Sequence, residues 1–329
     1  MFYRPAEWLG KRVIYFAWPY DESLWQDNLE GAQEEFLALL GALKKQQKVV
    51  LVPDEKNKKI FLQKFILDNN TNILVQPYGD IWLRDTMPIF GKENNSASCV
   101  IPKFNGWGNK YLFNDDIYLS DDIKNTLKIS YTLSNMIFEG GAIEFDGEGT
   151  LITTTQCMLN DNRNPNMSKN DIENEFKRLF NINKIIWLDN GLLNDHTDGH
   201  VDTIARFIAP NTVAIMNTND KKDPNKKVFE DIKSRLSIET DALGRKLKII
   251  ELPSTGEIFN DEGDIMPASY LNFIFADDLI IIPTYDSTFD EKAIETLTNA
   301  TQKKVSGLKA KHILSGGGAF HCISQEYFL

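Results

Sequence analysis

Cysteine is scarce in this 329-residue chain. Cys99, Cys157 and Cys322 are odd in number and widely spaced, which excludes a disulfide framework. Long apolar runs are missing too: the longest clean aliphatic stretch, residues 279–282, is far too short to span a bilayer. The opening segment, Met1-Phe2-Tyr3-Arg4-Pro5-Ala6-Glu7-Trp8, lacks the charged start and apolar stretch of a signal peptide. Positive charge is in deficit. With 36 Lys and Arg against 47 Asp and Glu, the net charge is −11, which argues against nucleic acid as a partner because phosphate binding needs a basic face. Glycine and proline, at 20 and 12 residues, are too few for collagen-like or low-complexity classes. These absences leave the expectation of a soluble, reduced, cytoplasmic protein with neither a membrane nor a nucleic-acid partner.

What is present fits a globular enzyme-sized core. Apolar residues make up 42% and charged residues 25%. The length allows two ordinary domains or one large α/β barrel or propeller. The acidic balance permits a small cationic ligand, which an acidic pocket would attract and orient.

The apolar periodicity predicts helices over residues 24–45, 56–68, 171–180, 226–236 and 291–303. The third is preceded by Ser168, with Asp171 three residues on, an N-terminal capping arrangement. Strands are predicted over residues 13–17, 49–52, 73–76, 99–101, 142–145, 151–154, 184–188, 213–216, 248–251, 270–275, 279–282 and 312–314. Turn-forming residues at 145–150, 209–212 and 276–278 mark hairpins. Hairpin-containing stretches begin near Asp85, Gly140, Gly199 and Ser269, and a helix and a further strand lie between them. That weak repeat fits radially arranged ββαβ units, a propeller-like build. An ordinary mixed α/β sheet fits as well, and pattern alone favours it.

Only four histidines are present, so their placement matters. Two lie in Asp195-His196-Thr197-Asp198-Gly199-His200-Val201-Asp202, with three aspartates in the same eight residues. His200 and Asp202, two apart, would share one face of a strand, as a general base and a carboxylate would require. His196 and His200 are four apart, as in helical zinc motifs, but Gly199 interrupts any helix there. Cys322 follows three glycines, which let a ligand approach the backbone closely. It reads either as a nucleophile or as a small buried hydrophobe. Asp85 and Glu139 stand where strands meet turns, beside Trp82, Met87 and Phe138. They read either as surface loop acids or as buried carboxylates that need a cation. A thiol, a histidine and several acids are what chemistry on a guanidinium needs: carboxylates grip the planar cation, the thiolate attacks carbon, and the imidazole moves protons.

Taken together, several segments resemble the agmatine deiminase family of the guanidine-modifying superfamily. They are Arg4-Pro5-Ala6-Glu7-Trp8, Ala17-Trp18-Pro19, Trp82-Leu83-Arg84-Asp85-Thr86, Glu139-Gly140-Gly141 and the following residues to Thr150. Leu159-Asn160-Asp161-Asn162-Arg163-Asn164-Pro165, Gly199-His200-Val201-Asp202, Gly316-Gly317-Gly318 and His321-Cys322-Ile323 complete the set. The resemblance covers essentially the whole chain. It implies the α/β pentein fold, a five-bladed propeller of ββαβ units, as one domain over residues 1–329. It implies hydrolysis of agmatine to N-carbamoylputrescine and ammonia, a step of putrescine biosynthesis, through a thiouronium on Cys322. His200 is then the general acid and base, Asp85 and Asp202 grip the guanidinium, Glu139 helps bind it and orients His200, and Trp82 packs against the alkyl chain. No metal or organic cofactor is implied, and a homodimer is one state seen in the family. Asp85 and Asp202 should raise the pKa of the empty enzyme's thiol.

The chain departs from the family pattern in places. Met87 stands where many members have Gly, Ala319-Phe320 replaces Asn-Ile, and His196-Thr197-Asp198-Gly199 replaces Thr-Asn-Gly. These changes leave open a deiminase of peptidyl or free arginine. A free-arginine substrate would need a cation for its carboxylate, with Arg163 and Arg206 as candidates. A metal-dependent amidohydrolase built on residues 195–202 and a non-catalytic guanidine-binding protein are the readings from other classes.

Overall fold

A computed structural model describes residues 1–329. Five small sheets carry the fold. Each contains an antiparallel strand pair and, beyond a crossover helix, a third strand parallel to the second. The second unit pairs Ile89–Glu93 with Ser96–Lys103, then Ser130–Ile137 after helix Asn114–Leu127. The third pairs Ile143–Phe145 with Thr150–Thr154, then Lys184–Leu188 after helix Lys169–Phe180. The fourth uses Ala205–Ala209, Thr212–Asn217 and Lys248–Pro253 around helix Lys226–Ser237. The fifth uses Ile274–Phe275, Leu279–Thr284 and Lys304–Lys309 around helix Asp290–Thr301.

The first unit is assembled from both ends of the chain. Ser324–Phe328 pairs antiparallel with Arg12–Ala17, with Tyr327 opposite Val13. Lys48–Val52 then follows helix Leu29–Ala42, and Thr71–Val75 adds a fourth strand. The chain is therefore the α/β propeller of ββαβ units, with one closing strand supplied from far along the sequence.

Local chemistry explains the elements. Asn94 and Asn95 turn the second hairpin at φ of 51° and 64°, the mirror-image turn that matches strand twist. In the third, Asp146 Oδ1 accepts from the backbone N–H groups of Glu148 and Thr150 at 2.7 and 2.8 Å. Ser168 and Asp171 form the predicted capping box of helix Lys169–Phe180. Central strands are buried on both faces: Thr150–Thr154 is buried throughout, its threonines included. Most of the core is one apolar cluster running through the first, second, fourth and fifth units, and a smaller one sits between the second and third. No helix is long and apolar enough to cross a membrane.

Three expectations fail locally. Residues 312–314 lie in a short helix, Lys311–Ser315, because a three-residue apolar run carries no period that separates strand from helix. The long helix expected over 24–45 breaks into Glu22–Trp25, a 3-10 turn and Leu29–Ala42. Of residues 270–275 only Ile274–Phe275 forms strand, the rest bending into the site described next.

Candidate active site

The five units each deliver a side chain from the residues just before their first strand. Asp85 precedes the second unit, Glu139 and Gly141 the third, and His200 and Asp202 the fourth. Asn272 precedes the fifth, and Cys322 the closing strand of the first. These loops converge on one site, where Asp85 meets Gly141 and His200, and Asn272 meets Asp202 and Cys322. Below them lies a buried ionic layer. Arg84 and Arg206 reach Glu7 at 3.1 and 2.5 Å, and Arg84 also reaches Glu326 at 2.7 Å. Removing any partner would strand a buried charge, typically at a cost of about 3–5 kcal/mol.

Cys322 is 8% exposed at the edge of a cavity of about 330 Å³. Its Sγ lies 3.1 Å from the Nδ2 of Asn272, which donates to it, and 3.6 Å from Asp202 Oδ2. Asn272 Oδ1 accepts from the backbone N–H groups of His321 and Cys322 at 3.0 and 3.2 Å, so one amide orients both the sulfur and its backbone. Burial first, then the charges of Asp202 and Asp85, push the thiol well above its ordinary range. That direction matches the expectation.

His200 and Asp202 come from a 3-10 turn, Val201–Thr203, and its cap. They are not the alternating residues of a strand, yet both reach the site. His200 is buried, with Nδ1 3.8 Å from Asp85 Oδ2 and Nε2 3.5 Å from Glu139 Oε2. Burial pulls the imidazole down, but Asp85, Cys157 and Glu139 together raise it well above its usual value. Asp202 Oδ2 pairs with His321 Nδ1 at 2.7 Å, and His321 Nε2 reaches Glu7 at 3.1 Å, giving a buried line from Glu7 to the thiol. Burial works against ionised Asp202, yet His321 and His200 hold it below the usual carboxylate range.

Asp85 accepts from Trp107 Nε1 at 2.8 Å and from the backbone N–H of Gly141 at 2.9 Å. Burial, with Asp202 and Glu139 nearby, raises its pKa against the pull of His200. Gly141 is required by proximity. A Cβ there would lie 2.6 Å from His200 Nδ1 and 3.1–3.2 Å from the carboxylates of Asp85 and Asp202. Glu139 does not line the cavity. It faces the other ring nitrogen of His200, and its Oε1 accepts from Arg163 Nε at 2.8 Å. Burial pushes it up, but the approach of His200 and the charge of Arg163 hold it below its usual range.

Trp82 lines the cavity, stacked on Trp25 with ring centres 6.1 Å apart. The two indole N–H groups donate to Asp80, at 2.8 Å from Trp82 and 3.0 Å from Trp25. Trp107, Tyr111, Phe113 and exposed His196 complete the walls. Trp107 sits at φ 52° between Gly106 and Gly108, a strained conformation that aims its indole at Asp85. Six buried side-chain polar atoms in the chain lack a hydrogen-bond partner; two of them, His200 Nε2 and Asp202 Oδ1, belong to this cluster.

Several sequence candidates fall elsewhere. Arg163 is spent on Glu139, Asp198, Asn162 and the Thr197 carbonyl. Arg206 is spent on Glu144, Glu7 and two carbonyls. Neither can meet a substrate carboxylate. The residues considered as metal ligands disperse. Asp195 caps its own turn through Thr197 and the His200 backbone, and Asp198 pairs with Lys110 and Arg163. Asn272, His321 and Trp107 were missed. Asn272 falls at the start of the repeat marked by Ser269, and Trp107 lies in the glycine-rich Asn105-Gly106-Trp107-Gly108-Asn109, so both had a signal.

A model of the Porphyromonas-type peptidyl-arginine deiminase family matches residues 3–327. A curated protein of Marinomonas sp. (strain MWYL1), named "Putative agmatine deiminase", is 35% identical over 99% of this chain and 94% of its own length. A solved agmatine deiminase of Enterococcus faecalis, 29% identical, superposes with a TM-score of 0.93 over 99% of this chain and 95% of its own. A cysteine-to-serine variant of the C. jejuni agmatine deiminase with substrate bound, 28% identical, gives 0.91 over 100% and 97%. Matched almost from end to end by that family model and by relatives of similar length, the chain belongs to the Porphyromonas-type peptidyl-arginine deiminase family.

Proposed function

We propose that this protein is an agmatine deiminase, with Cys322 as nucleophile. One observation carries the choice of substrate. The cavity that ends at Cys322 is lined by two carboxylates, Asp80 and Asp85, and by aromatic side chains, with no lysine or arginine. A guanidinium at one end and an ammonium at the other fit such walls, through charge-assisted hydrogen bonds and cation–π contact. Arginine's carboxylate would find no partner, since Arg163 and Arg206 are both engaged in the interior. The names of the solved and curated relatives point the same way.

The residues then act as follows. Asp85 and Asp202 hold the guanidinium, with Asp202 Oδ1 free to accept an N–H. As the cation binds, the Cys322 thiol gives its proton up to solvent and the sulfur adds to the central carbon. His200 gives its proton to one amino nitrogen, and ammonia leaves. The cationic thiouronium stays between the two carboxylates. His200 then takes a proton from water, hydroxide adds to the same carbon, the C–S bond breaks as the new hydroxyl's proton passes to sulfur, and N-carbamoylputrescine departs with the thiol restored. Glu139 orients and charges His200, Asn272 steadies the sulfur, and Trp82 packs along the alkyl chain. Residues 1–329 act as one catalytic unit in this reading, because every one of the five sheets contributes. Neither a cofactor nor a metal enters any step.

The family model's own description favours peptidyl-arginine as the rival substrate. Ammonia release from agmatine, free arginine and an arginine peptide distinguishes them, using wild type and Cys322→Ala in the presence of EDTA. Agmatine turnover that survives EDTA and vanishes in the variant is the expected result. Turnover of peptide or arginine alone would overturn the substrate while keeping the nucleophile. Turnover retained in Cys322→Ala would overturn the mechanism.

A further inference from the structure

Behind the catalytic imidazole lies a second thiol that the reaction above does not use. Cys157 is fully buried, in the short turn that follows strand Thr150–Thr154. Its Sγ is 3.9 Å from Glu139 Oε2, and that oxygen is 3.5 Å from His200 Nε2. All three atoms lie within 4.8 Å of one another. We propose that Cys157 Sγ, Glu139 Oε2 and His200 Nε2 form a site for a thiophilic divalent cation, zinc above all, whose occupancy shuts the enzyme off.

The spacing is that of ligands around one ion. Zinc bonds of about 2.0–2.3 Å at tetrahedral angles put nitrogen about 3.4 Å from oxygen, and sulfur about 3.6 Å from oxygen. The nitrogen–oxygen and sulfur–oxygen separations, 3.5 and 3.9 Å, need to contract by only a few tenths of an ångström, and the sulfur–nitrogen separation closes from within 4.8 Å. A sulfur–nitrogen–oxygen donor set selects zinc over magnesium or calcium.

The surroundings hold these donors in place. Arg163 Nε fixes Glu139 Oε1 and leaves Oε2 facing the cluster. The Thr154 hydroxyl accepts from the Cys157 backbone N–H at 3.3 Å and donates to the Gly199 carbonyl at 2.7 Å. One side chain thus ties the cysteine's turn to the residue before His200. Such outer partners are what metal sites use to orient their ligands. The ring nitrogen facing the cluster is buried without a hydrogen-bond partner. The neighbouring cavity is the substrate's: Asp85 lines it, and Asp85 Oδ2 is 3.8 Å from the Nδ1 of His200.

Charge balance is favourable. A neutral thiol, an imidazolium and a carboxylate sum to zero. Zinc with thiolate, neutral imidazole and carboxylate also sums to zero, and two protons leave as the ion enters. His200 then has no proton to deliver, so turnover stops until the ion is removed.

The test uses cobalt(II) as a spectroscopic stand-in on the full-length protein. A thiolate-to-cobalt charge-transfer band is expected in wild type and in Cys322→Ser, and absent in Cys157→Ser. Zinc should displace cobalt from wild type, and its affinity should fall at least about 10-fold in Cys157→Ser, since loss of a ligand costs no less than loss of an outer partner. A band that disappears in Cys322→Ser would place the ion on the nucleophile and overturn the assignment. So would no band in wild type. Should Cys157→Ser not fold, the Cys322→Ser arm still decides, because its only other thiol, Cys99, is buried in a strand with no such ligands around it. The inhibition arm rests on the deiminase reading and expects micromolar zinc to stop agmatine turnover and EDTA to restore it; the cobalt band does not depend on that reading. Turnover that zinc leaves unchanged while the band is present would refute the shut-off and leave the site.

Discussion

Asp202→Asn is expected to make the thiol more reactive and the enzyme less active. Asp202 Oδ2 lies 3.6 Å from Cys322 Sγ, and after burial its charge is the main force keeping the thiol protonated. Two unit charges at that separation interact by about 5 kcal/mol at an effective dielectric constant of about 20. At 1.36 kcal/mol per decade, the upper bound is a few thousandfold in thiolate population. A less basic thiolate is also a weaker nucleophile, and a Brønsted coefficient of about 0.4–0.5 offsets close to half of that gain on a logarithmic scale. The ligand-free variant should therefore be alkylated by iodoacetamide up to about a hundred times faster than wild type near neutral pH. Intact mass with peptide mapping separates Cys322 from Cys99 and Cys157. Agmatine turnover should fall about 10- to 100-fold, because the same change removes one charge-assisted hydrogen bond of about 1.5–3 kcal/mol to the guanidinium. Alkylation that is unchanged or slower in the variant would refute the electrostatic account of the resting thiol. In wild type, a non-reactive guanidine should shift the alkylation profile to lower pH, and coincident profiles would refute activation by the bound cation.

Gly141→Ala should cut kcat at least about 100-fold while the protein stays folded, since its Cβ would fall 2.6 Å from His200 Nδ1 and a displacement of about 1 Å in catalytic geometry costs that much; near-normal kcat would show the imidazole has room to move. Asp80→Asn should raise KM for agmatine about tenfold and leave KM for butylguanidine, which has no terminal amine, unchanged; equal effects on both would place Asp80 in support of Trp25 and Trp82 alone. The Asp116 carboxyl is pushed up to about 7 by burial, against about 3.9 in an unfolded chain. Between those values the unfolded chain has released a proton that the fold retains, so this residue makes stability fall as pH rises from about 4 to 7. Asp116→Asn should then unfold at higher urea than wild type at pH 8 and not at pH 4.5, a gain bounded by about 4 kcal/mol; a shift that is the same at both pH values would refute it.

Much of the site was legible because its members carry unusual chemistry in few places. With three cysteines and four histidines in the chain, Cys322 and His200 stood out, and the acids beside glycine turns followed. Hairpins at 145–150, 209–212 and 276–278 were readable from turn residues, and helix Lys169–Phe180 from its cap. Asn272 had only its place in the repeat to mark it, since a neutral amide has no titration or metal-binding signature and becomes functional only when the fifth unit aims it at Cys322. Arg163 and Arg206 misled for a related reason. A cation advertises an anion, but nothing local says whether that anion is a ligand or Glu139 and Glu144. The share of work between the two sides of His200 was also invisible, because Glu139 and Cys157 meet it only through strand pairing in the third unit.

The pairing of Ser324–Phe328 with Arg12–Ala17 sets an order in time. Residues 322–328 leave the ribosome after every other member of the site, so a growing chain holds Asp85, Glu139 and His200 long before it has a sulfur to aim. Until then Arg12–Ala17 is an open sheet edge, the kind of surface that chaperones hold and proteases find. Closure joins opposite ends of the chain, the slowest class of contact to form. The enzyme thus gains its fold and its nucleophile in the same late event, and a chain interrupted before that strand is both catalytically silent and marked for disposal.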